Sequence, residues 1–238
     1  MSMLILAIDT STQATSICVA GANGVVASAR LGQGQRHGEF TASAIAFCLD
    51  AAGKTPEDVT GVAVSLGPGA YTGMRVGIAT GQAFAHANAL PVVGLASLDV
   101  VAFAVRHSHR RIYSVIDARR SELFWAPYRS SPGGVQRVGE YCVGPLEKLV
   151  GDIEAAGEDA LVVGDGAVMH AAALERTDAV VGSWSTAQPE AAYLAELAMP
   201  RFEREETIRP SELKPIYLRQ ADARINWTER GSLKGAES

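Results

Sequence analysis

Apolar runs separated by short polar turns open the chain, a pattern typical of successive β-strands. One run spans residues 3–8 and ends at Asp9, and a second begins at residue 16 and continues to residue 20. The segment GANG at 21–24 supplies Gly and Asn where hairpin turns need positive φ. We therefore predict a strand, a return strand and a third strand at the start of the chain.

Helical spacing follows the third predicted strand. Phe40, Ala44, Cys48 and Ala52 recur every four residues, which predicts a helix over 37–53 that stops at Gly53. The later patterns predict a strand at 59–67, then a glycine-rich loop followed by a helix to about residue 88. A strand at 90–96 and a helix at 97–106 come next, with Ser97 as the N-cap of that helix.

The order of elements then restarts. Asp117 follows the apolar run 113–116 as Asp9 follows residues 5–8. Beyond it the patterns predict a return strand, helices at 145–156, 167–174 and 189–204, strands at 159–164 and 178–182, and a glycine turn, GDGA, at 164–167. Two successive units of this kind indicate an internal duplication. Strands joined through helices imply mainly parallel pairing, with an antiparallel hairpin at the start of each unit.

The duplication predicts two domains that divide near residues 106–110. We assign the first domain to 1–108, the second to 109–208, and a polar C-terminal segment to 209–238, with a frayed end at 231–238. The fold class that this pattern predicts is α/β, with a mixed sheet flanked by helices in each domain, and it resembles the duplicated actin-like (ribonuclease H-like) fold.

Composition places the chain among globular proteins and narrows its chemistry. Its 238 residues are 47% hydrophobic and 20% charged, and the net charge of −5 gives no global field that attracts nucleic acid, so such contact needs a local patch. The three cysteines stand apart, without the spacing of a zinc site. No basic leader and no apolar run of about 18 residues is present, and we expect a cytoplasmic protein without a membrane span.

Two interpretations fit the polar segment that begins at Asp9 and continues through Thr10, Ser11 and Thr12. In a duplicated actin-like fold the first phosphate loop lies here, and it reads Asp, any residue, Gly, then Thr or Ser. Ser11 stands in the Gly position, and its Cβ opposes a close approach of phosphate. The alternative is an Asx or Ser/Thr turn that caps the hairpin.

The segment GPGAYTGMRVG at 67–77 has the context of a phosphate loop without its sequence. No Gly-Lys-Ser/Thr ends it, and its third glycine comes one residue late for a dinucleotide loop. A helix N-terminus beside Arg75 still permits anion capture. The predicted nucleotide or anion contacts are Asp9, Thr10, Gly67, Gly69 and Thr72.

Small residues occupy every fourth position of the helix after this loop: Gly73, Gly77, Gly81 and Ala85. Three glycines in one helix destabilise it by roughly 2–3 kcal/mol relative to alanine. Such a bare face permits very close packing, either inside the same domain or against another subunit.

Catalytic patterns are sparse. The five histidines form no HExxH or HxxxH pair, no GxSxG elbow occurs, and no carboxylate pair stands out as an acid and a base. We predict no catalytic and no metal-binding residue. The basic and aromatic residues of the tail, from Lys214 to Lys234, allow a modest nucleic-acid or partner contact or a solvated terminus.

Five segments together resemble the bacterial TsaB (YeaZ) family. They are, in order, ILAIDTST, GPGAYTGMRVGIATGQAFAHA, LPVVGLASLD, VIDARRSELFWAPY and KPIYLR, and they span nearly the whole chain. The family belongs to the actin, hexokinase and sugar-kinase superfamily, which agrees with the duplicated pattern.

The resemblance implies a non-catalytic subunit in the formation of threonylcarbamoyladenosine next to the anticodon of tRNAs that read A-starting codons. Its expected partners are a TsaD-like transferase subunit, a TsaE-like ATPase and, through the complex, tRNA; alone, the chain is expected to form a homodimer. ATP or ADP and metal are expected in the partner subunits, with no cofactor of this chain's own.

The resemblance also implies that the first-domain helices dock the partner. The implied interface residues are His37, Glu39, Phe40, Ala44, Gly73, Arg75, Gly77, Gly81, Phe84 and Ala85. The chain departs from the family at Gly38, where a serine or similar residue is usual, which leaves this part of the contact open. An independent ATPase or kinase of the same superfamily is the alternative function, with GDGA as its only candidate second phosphate loop; a peptidase has no supporting residue pair.

Overall fold

The first sheet contains five strands. The computed structural model describes residues 3–32 and 37–219. The strands are β1 (Leu4–Asp9), β2 (Thr15–Gly21), β3 (Gly24–Leu31), β4 (Gly61–Ser65) and β5 (Val92–Leu95), and they lie in the order β3-β2-β1-β4-β5. The pairs β1–β2 and β2–β3 are antiparallel, whereas β4 is parallel to both β1 and β5. The predicted opening hairpin and the later parallel pairing are both confirmed.

The second sheet repeats this arrangement. Its strands are β6 (Arg111–Arg119), β7 (Glu122–Ser131), β8 (Gly134–Arg137), β9 (Cys142–Gly144), β10 (Ala160–Val163) and β11 (Val180–Val181). The order β8-β7-β6-β10-β11 matches, strand for strand, the order of the first sheet, and β9 pairs with β7 as an addition that the sequence did not indicate. The repeated order confirms the predicted duplication.

Seven α-helices accompany the sheets in the described part of the chain. They are α1 (His37–Ala51), α2 (Tyr71–Ala87), α3 (Ser97–Phe103), α4 (Leu146–Ala156), α5 (Asp165–Met169), α6 (Ala171–Leu174) and α7 (Ala191–Glu203). The first sheet packs α1 and α2 on one face, and their apolar side chains join those of β1, β2 and β4 in one core. None of the helices in the described ranges is long and apolar enough to cross a membrane.

The helix that follows β5 and the helix α7 that follows β11 each cross to the other sheet. Helix α7 buries Leu194 and Ala198 against the first sheet, on the face opposite α1 and α2. Helix α3 buries Leu98 and Val101 against the second sheet. The start of α7 is also tied to the first sheet, because the Ala191 N–H donates a 3.0 Å hydrogen bond to Ser16 Oγ. The domain limits proposed from the sequence stay a prediction.

Two helix predictions are wrong in detail. Ser97 is the first residue of α3 and not its N-cap; Ala96 takes that position, and the Ser97 hydroxyl donates to the carbonyl oxygen of Pro68. The single helix predicted at 167–174 is instead the pair α5 and α6. Helix α5 begins two residues early, directly after Gly164, whose φ of +111° only glycine adopts readily.

Residues 205–219 form a strap along the edge of the first sheet, here called the C-terminal strap. Ile208 bridges to Val92 of β5, and the Ile216 N–H donates a 2.8 Å hydrogen bond to the carbonyl oxygen of Leu66. At its end, Arg219 pairs with Glu122 of β7 at 2.7 Å. The strap thus connects both sheets. The predicted fraying at 231–238 and the basic and aromatic tail residues beyond 219 lie outside the described residues.

Candidate functional site

The loop between β4 and α2 packs directly on the turn that follows β1. The Ala70 N–H donates a 2.7 Å hydrogen bond to the carbonyl oxygen of Ser11, and the Thr10 hydroxyl donates one of 2.7 Å to the carbonyl oxygen of Gly73. A Cβ on Gly69 would collide with the Ser11 carbonyl oxygen. Glycine is needed here because two backbone segments touch, and not because a phosphate approaches.

This packing seals Asp9 inside the protein. Asp9, Thr10, Ser11 and Thr12 are all buried. The Asp9 carboxylate accepts hydrogen bonds from the Ser11 N–H at 3.0 Å and the Ser11 hydroxyl at 3.1 Å, which is the Asx-turn geometry. Burial raises the pKa of Asp9 to about 6. The structure therefore has the geometry of the turn interpretation, and a phosphate contact by Asp9 and Thr10 stays a prediction.

The other predicted anion contacts are not brought together around an open site. Gly67, with φ +89°, is buried against the side chain of Met74. Gly69 faces Ser11, and Thr72 points to the surface at the start of α2. An anion contact at Thr72 stays a prediction.

The small-residue face of α2 packs on its own sheet. A Cβ on Gly73 would meet the Thr10 carbonyl oxygen, one on Gly77 the Thr10 hydroxyl, and one on Gly81 the side chain of Val64. Ala85 is fully buried in the same core. The interpretation of Gly73, Gly77, Gly81 and Ala85 as interface residues is therefore wrong: helix α2 lies so close to β1 and β4 that no larger side chain fits.

The outward face of α2 forms a groove with α1. Uncharged side chains line its volume of about 510 Å³: Ala42, Ile45, Ala79, Thr80, Ala83 and Phe84. Of the implied interface residues, Phe84 lies here. Ala44 is buried in the core beneath α1 and is excluded from an interface, and Phe40 packs partly against that core. Glu39 and Arg75 are exposed, whereas the side chain of His37 lies outside the description.

Sequence reasoning missed most of the exposed surface residues of α1 and α2. Phe47 is 59% exposed on α1, and Ala79 and Ala83 are exposed on α2. A signal was present, because these positions lie opposite the buried faces that Ala44, Cys48 and the glycines define. Small and aromatic side chains on a helix face that points away from the sheet are unusual for a solvated helix.

The C-terminal strap lies on the other flank of α2. The Gln82 amide donates to the carbonyl oxygens of Pro210 at 3.0 Å and Leu213 at 3.3 Å. Near the start of α2, the Arg75 Nε donates a 3.1 Å hydrogen bond to the Tyr217 hydroxyl. The segment KPIYLR at 214–219, singled out in the sequence, is thus held against α2.

The second aspartate of the repeat, Asp117, lies near the end of β6, beside the GDGA segment. Asp117 pairs with Arg119 at 3.3 Å, and its N–H donates a 2.9 Å hydrogen bond to Asp165 of the GDGA segment. Burial raises the pKa of Asp165. Gly164 touches the backbone of Val115, so this turn, like the one at Asp9, is closed by packing. Among residues 3–32 and 37–219, no three His, Cys, Asp or Glu side chains are grouped to hold a metal ion.

Comparison with known proteins identifies the family. A family model described as TsaD, tRNA N6-adenosine threonylcarbamoyltransferase, matches residues 32–227. The curated protein TsaB of Bacillus subtilis, named a tRNA threonylcarbamoyladenosine biosynthesis protein, is 27% identical over 95% of this chain and 99% of its own. An uncharacterized protein of Mycobacterium tuberculosis is 32% identical over 92% of this chain and 93% of its own. The chain belongs to the TsaB (YeaZ) family.

A solved structure of the family supports the fold. YeaZ from Pseudomonas aeruginosa superimposes with a TM-score of 0.80 at 27% identity, over 91% of this chain and all of that one. The duplicated actin-like fold expected from the sequence is confirmed. Family membership places the chain in the biosynthesis of tRNA threonylcarbamoyladenosine.

Proposed function

We propose that the chain is a non-catalytic scaffold subunit that binds a TsaD-like transferase subunit through the groove between α1 and α2. The observation that carries this proposal is the uncharged lining of the groove between the two helices. Ala42, Ala79 and Ala83 keep the groove shallow, so that a partner helix can approach closely, and Phe84 supplies an apolar contact. Depletion of charge is what distinguishes the centre of an interface from ordinary surface.

The packing of α2 gives this groove a defined shape. Because the glycine face fixes the helix against β1 and β4, the outward residues are presented by a backbone with little freedom to shift. A rigid binding surface loses less conformational entropy on association. The glycines therefore support the interface indirectly, from beneath the helix.

The sealed turn at Asp9 supports a role without nucleotide chemistry of the chain's own. A phosphate group would need to displace the loop at 67–70 and break the bonds between Asp9 and Ser11. In this proposal, ATP or ADP and metal bind in the TsaD-like and TsaE-like partner subunits, and tRNA reaches the chain as part of the complex. When the partner is absent, the same groove pairs two copies of the chain.

The experiment is to introduce a charge into the groove. Ala79→Arg should weaken binding to the TsaD-like subunit of the same organism at least tenfold, because the guanidinium is buried without a partner. Ala155→Arg is the matched control, since Ala155 is exposed on α4, far along the chain from the groove. Binding is measured by titration calorimetry, and the thermal midpoint of each variant checks the fold.

Two outcomes would overturn the proposal. Equal affinity of Ala79→Arg and the unaltered chain would place the interface elsewhere. Submillimolar Mg-ATP binding with turnover by the isolated chain would favour the independent ATPase or kinase instead.

A further inference from the structure

Two tyrosine rings form an exposed stacked pair beside the start of α2. The ring centroids of Tyr71 and Tyr217 are 5.5 Å apart with an interplanar angle of 28°. Tyr71 is 42% exposed and Tyr217 is 44% exposed, so both rings present surface to solvent. The pair joins two segments 146 positions apart in numbering, which the C-terminal strap brings together.

The guanidinium of Arg75 completes the cluster. The Arg75 carbon Cζ lies 4.1 Å from the centroid of the Tyr71 ring, and the Arg75 Nε donates to the Tyr217 hydroxyl. Within the described ranges, no carboxylate lies at ion-pair distance from Arg75, unlike Arg209 and Arg219, which pair with Glu212 and Glu122. The positive charge of Arg75 is therefore available to a ligand.

The cluster lies on the opposite flank of α2 from the docking groove. Tyr71, Arg75 and Gln82 face the strap, whereas Thr80, Ala83 and Phe84 face α1; Ala79, one helical turn after Arg75, lies between the two flanks. A partner helix seated in the groove would leave the strap side of α2 open. The cluster is thus a separate surface, whose occupant does not depend on the groove.

We propose that Tyr71, Tyr217 and Arg75 form a stacking site for an unpaired nucleobase of RNA, with the Arg75 guanidinium placed to contact the adjacent phosphate. Aromatic rings bind single-stranded bases through their faces with little sequence preference, and arginine adds cation–π and phosphate contacts. Lys214 is exposed on the same strap and adds positive charge nearby in sequence. This is the local patch that a chain of net charge −5 needs for contact with RNA.

RNA is favoured over a protein ligand because the curated relatives are named for the biosynthesis of tRNA threonylcarbamoyladenosine. The exposed stacked rings beside the Arg75 guanidinium also suit a base and its phosphate. A protein contact at Tyr and Arg would be expected to include a buried apolar anchor. The α1–α2 groove and a cavity near His86 and Arg209 both adjoin α2, and neither is lined by Tyr71 or Tyr217.

The test uses the full chain and an RNA hairpin whose loop carries 5-bromouridine. Ultraviolet crosslinking followed by mass spectrometry should locate the crosslink at Tyr71 or Tyr217, and a fully paired duplex of the same composition should give none. In a titration followed by fluorescence anisotropy, Tyr217→Ala should weaken loop binding about tenfold. Tyr217→Phe, which keeps the ring, should stay within about twofold of the unaltered chain, as should Phe47→Ala on α1.

Several results would overturn the inference. These are a crosslink elsewhere or none at all, equal binding of loop and duplex, or equal loss with Tyr217→Phe and Tyr217→Ala. Weaker binding of the TsaD-like subunit by Tyr217→Ala, with RNA binding unchanged, would make the cluster a protein contact. The docking test measures binding of the TsaD-like subunit and this test measures binding and crosslinking of RNA, so a failure here is distinguishable from a failure of the docking groove.

Discussion

The hydroxyl of Thr10 donates a 2.7 Å hydrogen bond to the carbonyl oxygen of Gly73. This bond joins the turn after β1 to the first turn of α2, across 63 positions of sequence. The Thr10 carbonyl oxygen also fills the space where a Gly73 side chain would begin. The contact between Thr10 and Gly73 therefore explains both the closed turn at Asp9 and the need for glycine at position 73.

Gly73→Ala should destabilise the protein although alanine favours helices. The new Cβ would collide with the backbone at Thr10, which cannot rotate away, and overpacking of this kind lowers the free energy of unfolding by about 1–3 kcal/mol or more. Urea unfolding measures the loss. Gly151→Ala in α4 is the control, because a Cβ there meets nothing within 4 Å, and it should stabilise by about 0.5–1 kcal/mol. Equal effects of the two variants would contradict the close packing of α2.

Gly77→Leu and Gly81→Leu should destabilise the isolated chain, and any loss of association with the partner should follow from that destabilisation. At Gly77 the larger side chain meets the Thr10 hydroxyl, and at Gly81 it meets Val64 in the core. We expect a lowered thermal midpoint in the isolated chain, or failure to fold. Variants that kept the normal midpoint while losing association with the TsaD-like subunit would restore the interface interpretation of the glycines.

Asp9→Asn should stabilise the protein at neutral pH and reduce the pH dependence of its free energy of unfolding. Burial raises the pKa of Asp9 to about 6, whereas an unfolded aspartate has a pKa of about 3.9. Between these values the folded state binds more protons, so the free energy of unfolding falls as the pH rises from about 4 to 6 and stays low above it. The gain from asparagine should be about 1–3 kcal/mol at pH 7.5 and should shrink toward pH 4.

Urea unfolding of the two proteins at several pH values measures this difference. The amide oxygen of the substituted asparagine can still accept from the Ser11 N–H, so the turn keeps its geometry. Burial also raises the pKa values of Asp99 and Asp165, but both residues are present in each protein and their effect cancels in the difference. Parallel pH profiles would show that the Asp9 carboxyl titrates normally.

Asp99 should tolerate asparagine but not leucine. The hydroxyls of Tyr128 and Tyr141 both donate to the same oxygen, Oδ1, at 2.7 and 2.9 Å. Asp99→Asn keeps one oxygen that can accept both bonds, and its unfolding free energy should stay within about 1 kcal/mol of the original. Asp99→Leu leaves two tyrosine hydroxyls without their acceptor, and we expect a loss of about 2–4 kcal/mol. Similar chemical denaturation curves for both variants would contradict this network.

The sequence predicted the order of elements well because that order depends on local patterns. Apolar runs that end at Asp9 and Asp117, and the four-residue spacing of α1, identified the repeated unit before any contact was known. The split of one predicted helix at His170 and the short strand β9 were missed, since both depend on how the chain packs and not on periodicity.

The predicted site was less accurate, because exposure is a property of the folded chain. Glycine spacing along α2 indicates a close contact but carries no information on whether the contact is the chain's own sheet or a partner. Ala44 illustrates the same limit, since an alanine fits a core and an interface equally well. Tyr71 and Tyr217 could not be paired from sequence, because the strap alone brings them together.

The exchange of α3 and α7 between the two sheets has a consequence for synthesis on the ribosome. All five strands of the first sheet are present once residue 95 is made, but α7, which covers one of its faces, is complete only at residue 203. At ordinary translation rates this interval lasts roughly 5–20 seconds. Throughout that time the apolar sheet face formed by β1, β4 and β5 has Val100 of α3 beside it but lacks the α7 side chains that bury it, so the nascent protein presents a binding surface for a chaperone until its last helix emerges.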